Sequence, residues 1–177
     1  MLILGKSLTF EEGHIEDLVD TPCGSPRLFP LLALLYAGTN VQQAVYHVDH
    51  IFPQSRFTQT TLKKDQTVDD DKIELYLERF DLLPNLQLLE GTANVAKQAM
   101  LPAAWWREAE PNPDVRAVVF AGQDMTELPE TMAGFLEFYE LHRERRQNKL
   151  RTMLDVKQAR DEDDEMGVAD ELAAALN

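Results

Sequence analysis

The feature that most constrains the fold is an ordered series of short elements in the middle of the chain. The stretch Ala44-Val45-Tyr46-His47-Val48-Asp49-His50-Ile51-Phe52-Pro53 is rich in β-branched and aromatic residues and closes on a proline, which predicts a strand running into a loop. After Pro84-Asn85, the apolar run Leu86 to Leu89 predicts a second strand pairing with the first. Gly91-Thr92 then leads into a helix over Ala93 to Met100, with Thr92 as N-cap and Pro102 as stop. Between the strands, Gln54 to Val68 reads as a polar loop. Asp69, Asp70 and Asp71 open an amphipathic helix on which Ile73, Tyr76, Leu77 and Phe80 recur at i, i+3, i+4 and i+7.

Helices are predicted on both sides of this unit. Thr9 and Glu12 are spaced like a capping box, and Cys23-Gly24-Ser25-Pro26 reads as a turn. Leu28 to Ala37 is almost wholly apolar, tolerates Pro30 only in a first turn, and ends at Gly38, as a short buried helix does. No element is assigned to 111–129. From Glu130 to about Lys157, Phe135, Phe138, Tyr139, Leu150 and Leu154 form the apolar stripe of a long helix. Beyond Arg160 come seven acids and no base, a tail expected to be mobile. The expected architecture is therefore α+β. A helical lead-in (1–43) precedes a core (44–110) with a helix inserted in its hairpin; a linker and long helix (111–160) and an acidic tail (161–177) follow.

Charge narrows the function. The 177 residues carry 17 Lys and Arg against 31 Asp and Glu, a net charge of −14. Such a chain does not coat nucleic acid electrostatically, so any contact with it must be local. The single Cys23 excludes an internal disulfide and a Cys-rich zinc knuckle. The apolar run before Lys6 is too short for a signal peptide, and no stretch reaches the ~18 apolar residues of a membrane span. The expectation is a soluble, cytoplasmic protein that does not contact membrane.

Four polar residues stand where a bland strand, strand, helix unit would not need them: Asp49, His50, Asn85 and Asn94. The blocks His47-Val48-Asp49-His50-Ile51-Phe52-Pro53-Gln54-Ser55, Pro84-Asn85-Leu86-Gln87-Leu88-Leu89, and Asn94 with Lys97 resemble the HNH family of ββα-metal nucleases. The pattern is most similar to the C-terminal nuclease domain of GmrSD-type, modification-dependent restriction enzymes, and also to the HNH domain of RNA-guided CRISPR nucleases. The segment around Phe138 to Arg146 looks like the helix that closes such restriction nucleases. Two departures stand out. Pro84 takes the place of the family's usual glycine, and nothing matches the nucleotide-hydrolysing, ParB-like domain of GmrSD-type enzymes.

The residues suit that chemistry. Phosphodiester hydrolysis needs a base to deprotonate water and a cation to hold the phosphate and stabilise the departing 3′ oxygen. His50 is the candidate base, since a neutral imidazole suits that role at cellular pH. Asp49 and Asn94 are the candidate oxygen ligands of Mg²⁺ or Mn²⁺, which keep open positions for water and phosphate. By the resemblance, Asn85 would hold the imidazole or its loop in place. Lys97 could neutralise the phosphate, and Arg143, Arg146 and Lys149 belong to the one concentrated patch of positive charge. An acid next to a histidine puts the two side chains on opposite faces of an ideal strand, so both serve one site only if the chain turns there.

Each residue also has an ordinary role to weigh: a satisfied strand-end histidine, a turn-forming Asp or Asn, a helix-capping Asn94, a solvated helix face. Trp105 and Trp106 read as packing residues. The implied function is a metal-dependent DNA endonuclease, nicking or cutting both strands, as the module or subunit of a restriction or phage-defence system. A separate nucleotide-hydrolysing or target-recognition protein would be its partner. The alternatives are a catalytically idle interaction domain on the same scaffold, and an RNA-cleaving nuclease.

Overall fold

The structure, a computed structural model, describes residues 10–36, 45–125 and 128–174, together with most of their side chains. It is mixed helix and strand, α+β in class. Strands β1 (Tyr46–His50) and β2 (Leu86–Glu90) pair antiparallel, from Tyr46 opposite Glu90 to His50 opposite Leu86. Helix α5 (Gly91–Lys97) follows β2 without a loop. The junction is close-packed: a Cβ at Gly91 would lie 3.2 Å from His47 Nε2, so a larger residue there would push the imidazole aside by a few tenths of an ångström.

The period-two alternation of the strands divides the molecule. Val48, Leu86 and Leu88 face a core that Ile15 and Val19 of α1 (Glu12–Val19) and Leu31, Leu32 and Leu35 of α2 (Leu28–Leu35) complete, with Leu150 and Leu154. Leu89, on the other face, joins a second core with Ile51, Phe52, Phe57, Tyr76, Trp105, Trp106, Phe135 and Phe138. Fully burying a side chain of this size stabilises the fold by about 1.5–3 kcal/mol. Helix α8 (Phe135–Ala174) serves both cores, with Phe135 and Phe138 in one and Leu150 and Leu154 in the other.

The hairpin connection holds two helices where one was expected. In the supposed loop, Thr58 caps α3 (Gln59–Lys64), its Oγ1 accepting from the Thr61 amide at 3.1 Å. Helix α4 (Ile73–Arg79) is the expected amphipathic one: Ile73 and Tyr76 are buried, and the Tyr76 hydroxyl donates to the Met132 carbonyl at 3.0 Å. After α5 come α6 (Pro102–Ala109), carrying the buried Trp105 and Trp106, and α7 (Pro113–Gly122). Helix α7 falls in the unassigned stretch, where Asn112 Oδ1 caps it by accepting from the Asp114 amide at 3.0 Å.

Some boundaries differ from expectation. Helix α5 begins at Gly91, so Thr92 lies inside its first turn and Glu90 holds the capping position. It ends where Gln98 adopts φ +48°, a left-handed turn. Pro102 starts α6 rather than merely stopping α5. Gly24, at φ +81°, supplies the turn expected after Cys23. Helix α8 starts later than Glu130 and continues beyond Lys157 to Ala174. Thr9, Ala37, Gly38 and Ala44 lie outside the described residues. Among the described residues, no helix is long and apolar enough to cross a membrane.

Candidate functional site

Asp49 sits on the face of β1 that looks toward α5, directly opposite Gln87. The Gln87 amide nitrogen donates to Asp49 Oδ2 at 2.9 Å. Lys97, at the end of α5, reaches the same oxygen at 2.5 Å and also donates to the His50 backbone carbonyl. Its side chain is only 2% exposed. Burial therefore pulls the lysine pKa below its ordinary value, and the Asp49 carboxylate opposes that shift without cancelling it. Gln87 is fully buried, and its Oε1 has no partner among the described residues. A buried acceptor left unpaired is costly, so this amide oxygen is open to a donor or a cation.

His50 points the other way, as strand alternation requires. Its Nε2 lies 2.9 Å from Asp81 Oδ1, with the imidazole 12% exposed and the carboxylate 38%. The Phe80 ring stacks on it at 6.1 Å between centroids. Cys23 completes this corner: ligand atoms of Cys23, His50 and Asp81 all lie within 4.8 Å of one another. Backbone pairing holds Cys23 there, through Cys23 N–H to the Asp81 carbonyl at 2.8 Å and Leu83 N–H to the Thr21 carbonyl at 3.0 Å. Burial, and then the Asp81 charge, push the Cys23 thiol pKa up.

Asn85 is fully buried in the turn before β2. Its Oδ1 accepts from the Phe52 amide at 2.8 Å, and its Nδ2 donates to the carbonyls of Phe80 at 2.7 Å and Phe52 at 3.2 Å. Its own carbonyl accepts from the Ile51 amide at 2.7 Å. Asn85 thus grips the loop on either side of the site; its described partners are backbone groups, not the imidazole.

The structure brings together Asp49, Lys97 and the His50 backbone, but not the His50 ring with the Asp49 carboxylate. That pair keeps the opposite-face arrangement of a regular strand, because the register stays unbroken through His50. Asn94 lies on α5 one turn before Lys97; its side chain is outside the described part. Lys97, expected to neutralise the phosphate, is buried against Asp49 and not presented at the surface.

The basic residues of α8 are also engaged within the chain. Arg146 is fully buried and donates to the carbonyls of Leu83 and, at 2.7 Å, Leu86, and to the Tyr36 hydroxyl at 3.2 Å. As folded it has no surface to offer a phosphate. Arg143 pairs with Glu16 at 2.6 Å and Asp20 at 3.0 Å, and Lys149 with Asp124 at 2.8 Å. Sequence reasoning missed Gln87, Asp81 and Cys23. Gln87 carried a signal, a polar residue inside the apolar run Leu86 to Leu89. Asp81 and Cys23 carried none, since they meet through long-range pairing.

No protein-family model matches the chain, and no curated protein matches its sequence.

Proposed function

We propose that this chain is an HNH-type, ββα-metal nuclease that hydrolyses DNA phosphodiester bonds with a divalent cation, Mg²⁺ or Mn²⁺. One contact carries the reading. Within the Asp49-His50 motif, Asp49 Oδ2 and the His50 carbonyl converge on a buried cation, the Lys97 ammonium. Oxygens that hold an ammonium in a desolvated corner have the donor chemistry of a hard divalent cation. Gln87 Oε1 offers a further oxygen on the same amide that touches Asp49, and Asn94 another by resemblance. A bound cation would polarise the phosphate and stabilise the departing 3′ oxygen.

The chain's own groups do the rest. His50 accepts the proton of the attacking water. Asp81, hydrogen-bonded to the ring, fixes its orientation and stabilises the imidazolium that forms, a positioning role. Asn85 clamps the Phe52 and Phe80 backbone, so the segments just after His50 and just before Asp81 are held in place. Because Asp49 and His50 leave β1 on different faces, the scissile phosphate must straddle the strand end. With Arg143 and Lys149 paired to acids and a net charge of −14, tight DNA binding comes from a partner. A target-recognition or nucleotide-hydrolysing protein of a restriction or phage-defence system fits that need.

The Lys97–Asp49 pair also favours a second reading, an idle scaffold that binds a protein partner, because an internal ammonium already neutralises the carboxylate. Cation binding separates the two: an idle domain shows no divalent affinity that depends on Asp49. The direct test is nicking of supercoiled plasmid with Mg²⁺ or Mn²⁺, with RNA digested alongside. His50→Ala should lose cleavage while staying folded, and full activity in that variant would sink the assignment.

A further inference from the structure

We propose that Cys23, His50 and Asp81 form a Zn²⁺ site, with water in the fourth position. It lies on the face of β1 opposite the Asp49 contact and does not depend on the nuclease reading. Three observations carry it. The donor atoms, a thiol sulfur, an imidazole nitrogen and a carboxylate oxygen, all lie within 4.8 Å of one another. Ligands of a tetrahedral zinc stand about 3.5 Å apart, so closing the site takes side-chain movements on the order of 1 Å. The three residues come from separate stretches that are already tied together. The bonds Cys23 N–H to the Asp81 carbonyl and Leu83 N–H to the Thr21 carbonyl form one isolated antiparallel bridge, Pro22 opposite Leu82, and Asp81 Oδ1 holds His50 Nε2 at 2.9 Å. Finally, Asp81 is 38% exposed, which leaves a route for an ion and for the water ligand.

The donor set selects the metal. A hard ion such as Mg²⁺ takes oxygen ligands, whereas sulfur with imidazole suits borderline ions, of which Zn²⁺ tolerates one carboxylate in a tetrahedral shell. Ligation forms a Zn–S bond and releases the thiol proton to buffer, with no electron transferred. The zinc ties the segment before α2 to the end of β1 and to the turn before β2. One corollary rests on the nuclease reading: zinc on Nε2 takes the ring's lone pair and leaves its one proton on Nδ1, so the imidazole cannot take a proton from water and zinc would inhibit cleavage.

The test uses the full chain, stripped of metal, with Co²⁺ as probe and Zn²⁺ as competitor. A thiolate-to-cobalt charge-transfer band should appear and be displaced by Zn²⁺. Excess Zn²⁺, at about a hundred times its Kd, should raise the Tm by about 5–10 °C. Cys23→Ser should abolish the band and weaken Zn²⁺ binding at least tenfold, Asp81→Asn should weaken it about tenfold, and Asp49→Asn should leave it unchanged. Should Cys23→Ser fail to fold, the band and thermal shift of the parent chain decide. Absence of Co²⁺ binding, binding without the band, or a folded Cys23→Ser variant with parental affinity overturns the site, whatever the cleavage assay shows.

Discussion

Asp49 and Lys97 form an ion pair at 2.5 Å in which the lysine side chain is 2% exposed and the aspartate 17%. Removing one partner of a buried pair leaves the other uncompensated, at a cost of about 3–5 kcal/mol when it is well desolvated. Lys97→Ala should therefore lower the urea unfolding free energy by about 3 kcal/mol, with Lys97→Met losing less because it keeps the volume. On the nuclease reading the same change removes an internal competitor. Calorimetric Mn²⁺ titration should find tighter binding in Lys97→Met and none in Asp49→Asn. Weaker binding in Lys97→Met would mean that the lysine supports the cation site and does not compete for it.

Asn85 satisfies three backbone groups from one buried amide. Truncation to Ala leaves the Phe52 amide and two carbonyls without partners, each worth about 1 kcal/mol or more. Asn85→Ala should cost about 3 kcal/mol by chemical denaturation, and Asn85→Asp should not rescue it, since a carboxylate cannot donate to the Phe52 and Phe80 carbonyls. A loss below about 1 kcal/mol would show that water replaces the side chain.

Arg146 should behave as a structural residue. Arg146→Met leaves the Leu83 and Leu86 carbonyls and the Tyr36 hydroxyl without their buried donor, each worth about 1 kcal/mol, and should destabilise by about 3 kcal/mol. The folded fraction should bind DNA with an unchanged salt slope, because a residue that touches no phosphate releases no counterion. A slope reduced by about one unit would put Arg146 on the nucleic acid.

His142 sets a pH dependence. It is fully buried, and burial, with the nearby Arg146 charge, holds its pKa well below the ordinary histidine value, although the Pro84 and Gln123 carbonyls favour its charged form. Below pH ~6.5 the unfolded chain takes up a proton that the folded chain refuses. Stability is therefore undiminished by this group above that pH and falls as pH drops, by about 1.4 kcal/mol per unit until the folded value is reached. Between pH 6.5 and 5, His142→Gln should show a shallower fall than the parent in urea titrations; parallel curves would exclude the histidine as the cause.

The strands and α4 are legible from their own periods and α2 from its unbroken apolar run, whereas α5 is found with both ends displaced, since Thr92, read as its cap, sits inside the first turn. Two helices are not legible, because Thr58 and Asn112 lie in polar stretches where composition outweighed a single capping residue. Charge alone gives no sign of the burial of Arg146. Residues 135, 139, 142, 146 and 150 fall on one helical stripe, so the pattern that buries Phe135 and Leu150 also buries the arginine between them. The pairing of His50 with Asp81, and Cys23 beside them, depends on contacts distant along the chain, which no local pattern encodes.

Through His142 and Arg146, α8 holds the carbonyls of Pro84, Leu83 and Leu86, the residues flanking Asn85. The turn before β2 is therefore tied to the long helix and not only to its own strand. Opening it should require the long helix to let go, so the amides of Asn85 and Leu86 should be among the most slowly exchanging in the chain.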